Sequence, residues 1–229
     1  MSEPVRWSLC IFASYLLGSI PFGLLIGLGK GVDIRQHGSR NIGATNTGRV
    51  LGKPWGMFCF ALDFLKGVIP VLASGWWMNT LGRTDLPPST SLLWLAVGVA
   101  SLLGHVFPIY IGFKGGKGVA TGFGVMLATW PSVTLPALTA LVVWLVALRI
   151  WKMVSVASCL AACALPVSLV ALRIAGWPRG EQPPSEAWRA AVPYLVVTTL
   201  LAALVVWKHR ANLARVRAGT EPKVGQAKA

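Results

Sequence analysis

Residues 133–174 read VTLPALTALVVWLVALRI, then WKM, then VSVASCLAACALPVSLVALRI, and this stretch decides the fold class. Each of its two apolar blocks, 133–150 and 154–174, is close to the length of a bilayer crossing, which takes about 20 residues in a helix. Because only WKM separates the blocks, the chain leaves one membrane helix and soon enters the next. The stretch therefore predicts a polytopic helical membrane protein.

Five further apolar blocks lie outside this stretch. They cover residues 7–28, 55–77, 91–111, 119–130 and 188–207. The block at 119–130 is short, because about 12 residues span roughly 18 Å in a helix, against a hydrocarbon core of about 30 Å. We predict an all-α bundle of seven transmembrane helices, of which this one is short or broken. No small-residue cleavage site follows the first block, so we expect the first helix to be retained.

The composition excludes an ordinary soluble domain. Of the 229 residues, 55% are hydrophobic and 12% are charged, and the mean hydropathy is +0.64. A soluble domain has roughly 25% charged residues. The four cysteines lie in apolar blocks without a histidine cluster, so we predict that they are small buried residues, with no metal and no cofactor. No repeat or long linker is present, so we expect a single domain over 1–229 with a basic tail at 208–229.

The net charge of +14 suggests a nucleic-acid partner until the basic residues are sorted by membrane side. Cytoplasmic loops of membrane proteins are enriched in Lys and Arg. The loops on one side hold Lys30, Arg35, Arg40, Arg49, Lys53, Lys114, Lys117, Arg149, Lys152, Lys208, Arg210, Arg215, Arg217, Lys223 and Lys228. The loops on the other side hold Arg6, Arg83, Arg173, Arg179 and Arg189. We therefore predict no nucleic-acid partner, an external N-terminus and a cytoplasmic C-terminus.

The first polar segment on the basic side is 31–49, which is dense in Gly, Asn, Ser, Thr and Arg. Glycines allow backbone N–H groups to turn inward, hydroxyls and amides add neutral donors, and an arginine offers a planar fork to two anionic oxygens. This combination is typical of a phosphate site. The candidates are Ser39, Asn41, Thr45, Asn46 and Arg49. A basic loop solvated by lipid headgroups is the alternative.

The second polar segment, 105–122, ends one helix and opens the short one. Its glycine and lysine spacing is one residue short of the nucleotide-binding phosphate loop, and no Ser or Thr follows Lys117. Lys117 and the N–H groups of Gly115, Gly116 and Gly118 nevertheless precede a helix N-terminus, where free donors and the helix dipole favour an anion. The alternative is a glycine hinge with a lysine that extends to the interface.

The third polar segment, 208–223, directly follows the last membrane helix. If that helix continues, His209 and Asn212 share one face, and Arg215 lies further along it. A basic tail that contacts anionic lipids is the alternative. All three segments are expected on the same side, which favours a site for phosphorylated substrates beside lipid. A transporter of a phosphorylated solute and a lipid-binding protein without turnover are the competing functions.

The three segments resemble the motifs of the PlsY family of bacterial membrane acyltransferases. The residues that carry the resemblance are GSRNIGATN at 38–46, GFKGGKGVAT at 112–121, and HRAN at 209–212 through Glu221. GSIP at 18–21 and LDFLKG at 62–67 extend it over the whole chain. One departure is Arg40, since most family members have glycine there.

The resemblance implies acyl transfer from acyl phosphate to the sn-1 hydroxyl of glycerol 3-phosphate, giving lysophosphatidic acid and inorganic phosphate. It implies that Ser39, Lys117 and the glycine N–H groups hold the donor phosphate and that Ser158 also contacts phosphate. Arg49, His209 and Asn212 match positions that bind or orient glycerol 3-phosphate, and Glu221 is expected to be structural. We expect a monomer in the bacterial inner membrane, with its active site on the cytoplasmic side.

The mechanism needs little activation of the attacking hydroxyl, because acyl phosphate has a good leaving group. Few carboxylates lie on the reacting side, and Asp63 and Lys66 are interpreted as a polar pair within one helix. Two bases are therefore open: His209, and the phosphate of glycerol 3-phosphate, whose second pKa is about 6 if it behaves like other phosphate monoesters. We favour the phosphate of glycerol 3-phosphate as the base, with His209 as an orienting hydrogen-bond partner. An acyl-Ser39 intermediate is a third route. His37 and His105 are interpreted as loop and helix-end histidines without a chemical role.

Overall fold

The computed structural model describes residues 1–177 and 183–225. Within these residues all regular structure is helical, and six helices are long and apolar enough to cross a membrane. The α-helices are α1 (Glu3–Gly18), α2 (Phe22–Gly29), α3 (Ala44–Leu51), α4 (Lys53–Trp77), α5 (Pro88–Val106), α6 (Val119–Ala128), α7 (Thr134–Trp151), α8 (Val154–Ile174), α9 (Pro184–Lys208) and α10 (Arg210–Arg217).

The predicted membrane helices are confirmed, including the short one. The spans are Glu3–Gly29, Lys53–Trp77, Pro88–Ile111, Thr134–Trp151, Val154–Ile174 and Ser185–Lys208, and α6 is the shorter apolar helix. Two of the basic residues that predict the orientation, Arg179 and Lys228, lie outside the described residues.

Two local features differ from the sequence prediction. The first span is broken between α1 and α2, at Ser19 to Pro21, because a proline at 21 has no N–H to continue the helix. The segment 31–49, expected as a loop, ends in the short helix α3, which begins after Gly43. Thr45, Asn46 and Arg49 therefore lie on a helix.

The chain divides into two compact units. The first comprises Met1–Leu81 and Ser89–Thr129, and contains α1 to α4, most of α5, and α6. Its helices approach closely at glycines: a Cβ at Gly67 would overlap the carbonyl oxygen of Thr121, and one at Gly124 would overlap that of Phe64. Such small residues allow backbones of membrane helices to pack directly, and here they dock α6 on α4.

The second unit comprises Gly82–Pro88 and Trp130–Ala229. In it α8 packs between α7 and α9, and the short helix α10 contacts both α8 and α9. Beyond α10 the chain returns to the α7–α8 turn, where the Val224 N–H donates to the Lys152 carbonyl at 2.7 Å. The single domain expected from the sequence stays a prediction.

Candidate functional site

The first motif is organised around the buried amide of Asn46. Its Oδ1 accepts the Ser39 N–H at 2.7 Å, and its Nδ2 donates to the carbonyls of Ile34 at 2.9 Å and His37 at 3.2 Å. The side chain is 1% exposed, and a Cβ at Gly38 would overlap its oxygen. Both ends of the Asn46 amide are used to fold the loop, and a contact between Asn46 and substrate stays a prediction.

Other polar groups of this loop are also used internally. Asn41 Oδ1 accepts the Gly43 N–H at 3.0 Å, which shapes the turn into α3. Arg35 pairs with Asp33 at 2.8 Å, and its hydrogen bond lowers the pKa of that carboxyl to about 2. Arg40 has a left-handed backbone with φ of +58°, which explains why glycine suits this position.

Three of the candidate side chains in the first motif face outward. Ser39, Thr45 and Arg49 are all exposed, and Arg49 lies in the last turn of α3. The backbone of Ser39 is fixed by Asn46 while its side chain is exposed. The motif thus presents two hydroxyls and one guanidinium on a loop and helix held from within.

The second motif differs from the expectation that its glycine N–H groups await an anion. The Gly115 N–H donates to the Val106 carbonyl at 3.2 Å, and the Gly116 N–H donates to the His105 carbonyl at 3.0 Å. These two donors are therefore already used, because the loop folds back on the end of α5. Gly118 precedes α6 with φ of +80°, and Lys117 beside it is half-buried.

A buried polar cluster lies beneath this loop. Asp63 Oδ1 lies 2.9 Å from Lys66 Nζ and 3.5 Å from His105 Nδ1, and these side chains are 2% to 4% exposed. The polar pair expected within one helix is present. Its approach to His105 was missed, because Asp63 and His105 are far apart in sequence and no motif connects them.

In the second unit, the last membrane helix does not continue straight into the third motif. It ends at Lys208, and α10 begins at Arg210, so His209 is the junction, with φ of −98° and ψ of 5°. His209 Nδ1 lies 2.8 Å from the Val205 carbonyl, and the side chain is 3% exposed. A carbonyl only accepts, so Nδ1 carries the proton, and in the neutral ring Nε2 is the basic nitrogen.

Glu221 ties the third motif together. Its Oε1 accepts Ser155 Oγ and Asn212 Nδ2, both at 2.7 Å, and its Oε2 accepts Arg215 Nε at 2.8 Å. Burial raises the pKa of the Glu221 carboxyl, but hydrogen bonds from Asn212, Ser155 and Arg215 outweigh this and hold the pKa below its usual range. This geometry is that of a structural carboxylate. It also uses one donor of Asn212.

Ser158 is placed differently from the phosphate contact that the resemblance implies. Its hydroxyl donates to the Val154 carbonyl at 2.7 Å and accepts from Trp144 Nε1 at 3.3 Å, and the residue is 2% exposed. A hydroxyl has one proton to donate, and here it is donated to a backbone carbonyl of α8. In this structure the Ser158 hydroxyl is bonded within α8, and its contact with a phosphate stays a prediction.

The family model that matches this chain and two of its sequence relatives are all described as glycerol-3-phosphate acyltransferases. The sequence model of the family described as glycerol-3-phosphate acyltransferase matches residues 8–219. A glycerol-3-phosphate acyltransferase of Desulforamulus reducens is 40% identical over 95% of both chains. One of Aquifex aeolicus is 42% identical over 93% of this chain and 96% of its own.

Solved structures agree with the sequence relatives. The chain is similar to a crystal structure of PlsY, an integral membrane glycerol 3-phosphate acyltransferase, in its glycerol 3-phosphate form. The TM-score is 0.78 at 38% identity, over 96% of both chains. A lysophosphatidic acid form of PlsY matches with a TM-score of 0.76, over 96% of this chain and 95% of that one. The chain therefore belongs to the glycerol-3-phosphate acyltransferase family of integral membrane enzymes.

Proposed function

We propose that this enzyme transfers an acyl group from acyl phosphate to the sn-1 hydroxyl of glycerol 3-phosphate. The products are lysophosphatidic acid and inorganic phosphate. The observation that carries the proposal is the similarity to PlsY in two forms, one named for glycerol 3-phosphate and one for lysophosphatidic acid. Acceptor and product differ by one acyl group, so the reaction is an esterification of the acceptor.

The residues of this chain suit two phosphate-bearing substrates. We assign Lys117 and the exposed Ser39 hydroxyl to the donor phosphate, with Gly118 at the start of α6 as a backbone neighbour of Lys117. We assign the exposed Arg49 to the phosphate of glycerol 3-phosphate, because a guanidinium binds two phosphate oxygens at once. Thr45 lies one helical turn before Arg49 on α3 and adds a hydroxyl.

In the proposed reaction, the sn-1 oxygen attacks the acyl carbonyl carbon and forms the new ester bond. The bond from that carbon to the phosphate oxygen breaks, and the phosphate leaves with both bonding electrons. A cation such as Lys117 stabilises the charge that develops on this leaving group. The proton of the attacking hydroxyl passes to a phosphate oxygen of glycerol 3-phosphate.

His209 is proposed to orient the acceptor. Its protonated Nδ1 is held by Val205, so the ring is fixed and Nε2 is the nitrogen that accepts a hydrogen bond. The same geometry also suits a general base. A His209→Gln variant that keeps most of its kcat supports the substrate phosphate as base, whereas a folded variant that loses several orders of magnitude of kcat supports His209 instead.

The reaction is proposed to take place at the cytoplasmic face of the bacterial inner membrane, catalysed by a monomer. The cytoplasmic side is supported by the basic residues, most of which fall in loops assigned to that side. A cysteine introduced at exposed Thr45 is expected to react with an impermeant maleimide only in inverted membrane vesicles. Labelling in intact spheroplasts would reverse the orientation.

The decisive experiment measures inorganic phosphate release by purified protein given acyl phosphate and glycerol 3-phosphate. We expect release that requires both substrates, and no lysophosphatidic acid when acyl-CoA replaces acyl phosphate. Lys117→Ala is expected to raise the barrier by about 2–4 kcal/mol. Lys114→Ala is the matched control, because Lys114 is exposed in the same loop.

Four outcomes would contradict the proposal. Product formation from acyl-CoA without acyl phosphate would show that acyl-CoA serves as the donor. Near-wild-type turnover of Lys117→Ala would show that Lys117 does not stabilise the leaving phosphate. Uptake of glycerol 3-phosphate into proteoliposomes without phosphate release would favour the transporter. An acyl adduct on Ser39 in mass spectra after incubation with donor alone would replace direct transfer with a two-step route.

A further inference from the structure

We propose that Asp63, Lys66 and His105 form a buried positioning network that holds the Gly115–Gly116 backbone in place and thereby sets the position of Lys117. Asp63 and Lys66 lie on α4, and His105 lies at the end of α5. The proposal rests on the proposed function, in which Lys117 binds the donor phosphate. None of the three residues is assigned a contact with substrate.

Charge is present inside the membrane-spanning helix α4. Asp63 and Lys66 are 2% exposed and form an ion pair at 2.9 Å. Charged side chains are costly within a bilayer, and a buried ion pair contributes little net stability compared with apolar residues of similar size. Stability alone is therefore a weak explanation for the pair, and a positioning role is a stronger one.

Lys66 supports the break between α1 and α2. Its Nζ donates to the Ile20 carbonyl at 3.0 Å, and the ammonium lies 5.6 Å from the centre of the Phe22 ring. A helix break within a membrane leaves carbonyls that need partners. Lys66 supplies one such partner, so the network joins the first span to α4.

His105 contacts the glycine loop directly. The His105 carbonyl accepts the Gly116 N–H at 3.0 Å. A Cβ at Gly116 would overlap imidazole Nε2 and would lie 2.8 Å from Cε1. The ring therefore lies directly against the Gly116 backbone. Asp63 Oδ1 lies 3.5 Å from the other ring nitrogen, so the carboxylate is in contact with the ring against which Gly116 packs.

The same turn of α4 also holds the chain after Lys117. Thr121 Oγ1 donates to the Asp63 carbonyl at 2.8 Å, and Ser101 Oγ donates to the Lys66 carbonyl at 2.6 Å. Lys117 thus lies between Gly116, which rests on His105, and Thr121, which bonds to α4. Both attachments lead back to residues 63 to 66.

A double-mutant cycle tests the contact. His105→Ala removes the ring and is expected to lower kcat/KM for acyl phosphate by about 100-fold, since a displacement of about 1 Å has an effect of that size. Gly116→Ala alone is expected to be similarly damaging, because its Cβ meets the ring. In the His105→Ala background there is room for that Cβ, so the second substitution adds much less than its effect alone.

The matched controls separate positioning from general damage. Gly29→Ala is the control for Gly116→Ala, because its added Cβ meets nothing within 4 Å. Asp85→Asn is the control for Asp63→Asn, because it changes an exposed carboxylate. We expect Asp63→Asn to lower kcat/KM for acyl phosphate with the KM for glycerol 3-phosphate unchanged. Equal changes in both KM values with a lower unfolding temperature would indicate a structural role and overturn the proposal.

Hydrogen–deuterium exchange gives a readout that does not depend on activity. We expect the amides of residues 115–118 to exchange faster in His105→Ala than in the wild type, with Gly29→Ala unchanged. Unaltered exchange there, or fold-losses in the cycle that simply multiply, would overturn the network. If the wild type releases no phosphate from acyl phosphate but the exchange difference persists, the proposed donor is wrong and the network is upheld.

Discussion

Replacing Glu221 by glutamine is the sharpest test of how the third motif is held. Three side chains donate to this carboxylate: Ser155 and Asn212 to Oε1, and Arg215 to Oε2. Glutamine keeps one oxygen and replaces the other by an NH₂ group. In the orientation that keeps both bonds at Oε1, this NH₂ faces Arg215 Nε, so a donor meets a donor.

The magnitude follows from these three bonds. A hydrogen bond to a charged group contributes about 1.5–3 kcal/mol and a neutral one about 0.5–1.5 kcal/mol, so two bonds that lose their charge together lose roughly 2–3 kcal/mol. The bond to Arg215 adds at most about 1 kcal/mol, because the Arg215 side chain is 41% exposed and water replaces the lost acceptor. Glu221→Gln should therefore weaken the docking of α10 by about 2–4 kcal/mol.

Hydrogen–deuterium exchange of the α10 amides measures this directly. Where exchange follows local opening, a loss of about 2–4 kcal/mol accelerates it roughly 30-fold to several hundredfold. Glu186→Gln is the matched control, since Glu186 is exposed in the first turn of α9. If α10 exchanged at the same rate in the two variants, Glu221 would not be what holds this helix.

Four further predictions test individual residues. Because the pKa of Glu221 is lower in the folded state than in the unfolded chain, its stabilisation is complete above the ordinary glutamate pKa and is lost as the pH falls through the folded value. The exchange rate of the α10 amides, relative to the intrinsic amide rate at each pH, should therefore rise only below about pH 4, and a rise at higher pH would contradict the shift. Arg40→Gly relieves a left-handed residue and should raise the unfolding midpoint by roughly 2–4 °C, whereas a lower midpoint would mean that the arginine stabilises the turn. Asn46→Ala removes three hydrogen bonds at a buried site and should cost about 2–4 kcal/mol, seen as faster tryptic cleavage of the first motif; cleavage at the wild-type rate would argue against it. Ser158→Ala should change the KM for acyl phosphate by less than about twofold, because the Ser158 hydroxyl donates its hydrogen bond to a carbonyl of α8. A large rise in this KM would indicate that Ser158 contacts the phosphate after all.

The membrane helices were predictable because bilayer thickness imposes a length that hydropathy detects. The break at residues 19–21 was not detected in this way, because hydropathy reports side chains and Pro21 acts on the backbone. The GSIP sequence was the available signal. Helix α3 was missed because its sequence ATNTGRVL has only eight residues and is polar on average, so a helical period is hard to detect in it.

The candidate site shows a second limit of sequence reasoning. Residue types indicate which atoms are able to meet a phosphate, but the fold decides which of them are used internally. Asn46 and Ser158 have the right chemistry, yet their polar atoms bond to other parts of the same unit. The N–H groups of Gly115 and Gly116 do the same.

Because the N–H groups of Gly115 and Gly116 donate to backbone carbonyls, the glycines of the second motif are better explained by packing than by anion binding. If they were the anion site, any small residue with a free N–H would serve there, and the buried cluster would be irrelevant. Instead a Cβ at Gly115 or Gly116 would overlap the backbone or ring of His105, so glycine is required for close packing on α5. In the proposed reaction, donation to the phosphate then falls to Lys117, whose side chain is the cationic group in the segment between Gly116 and α6. A single cation placed by packed backbone needs a rigid support, and the buried ion pair of Asp63 and Lys66 lies where that support is required.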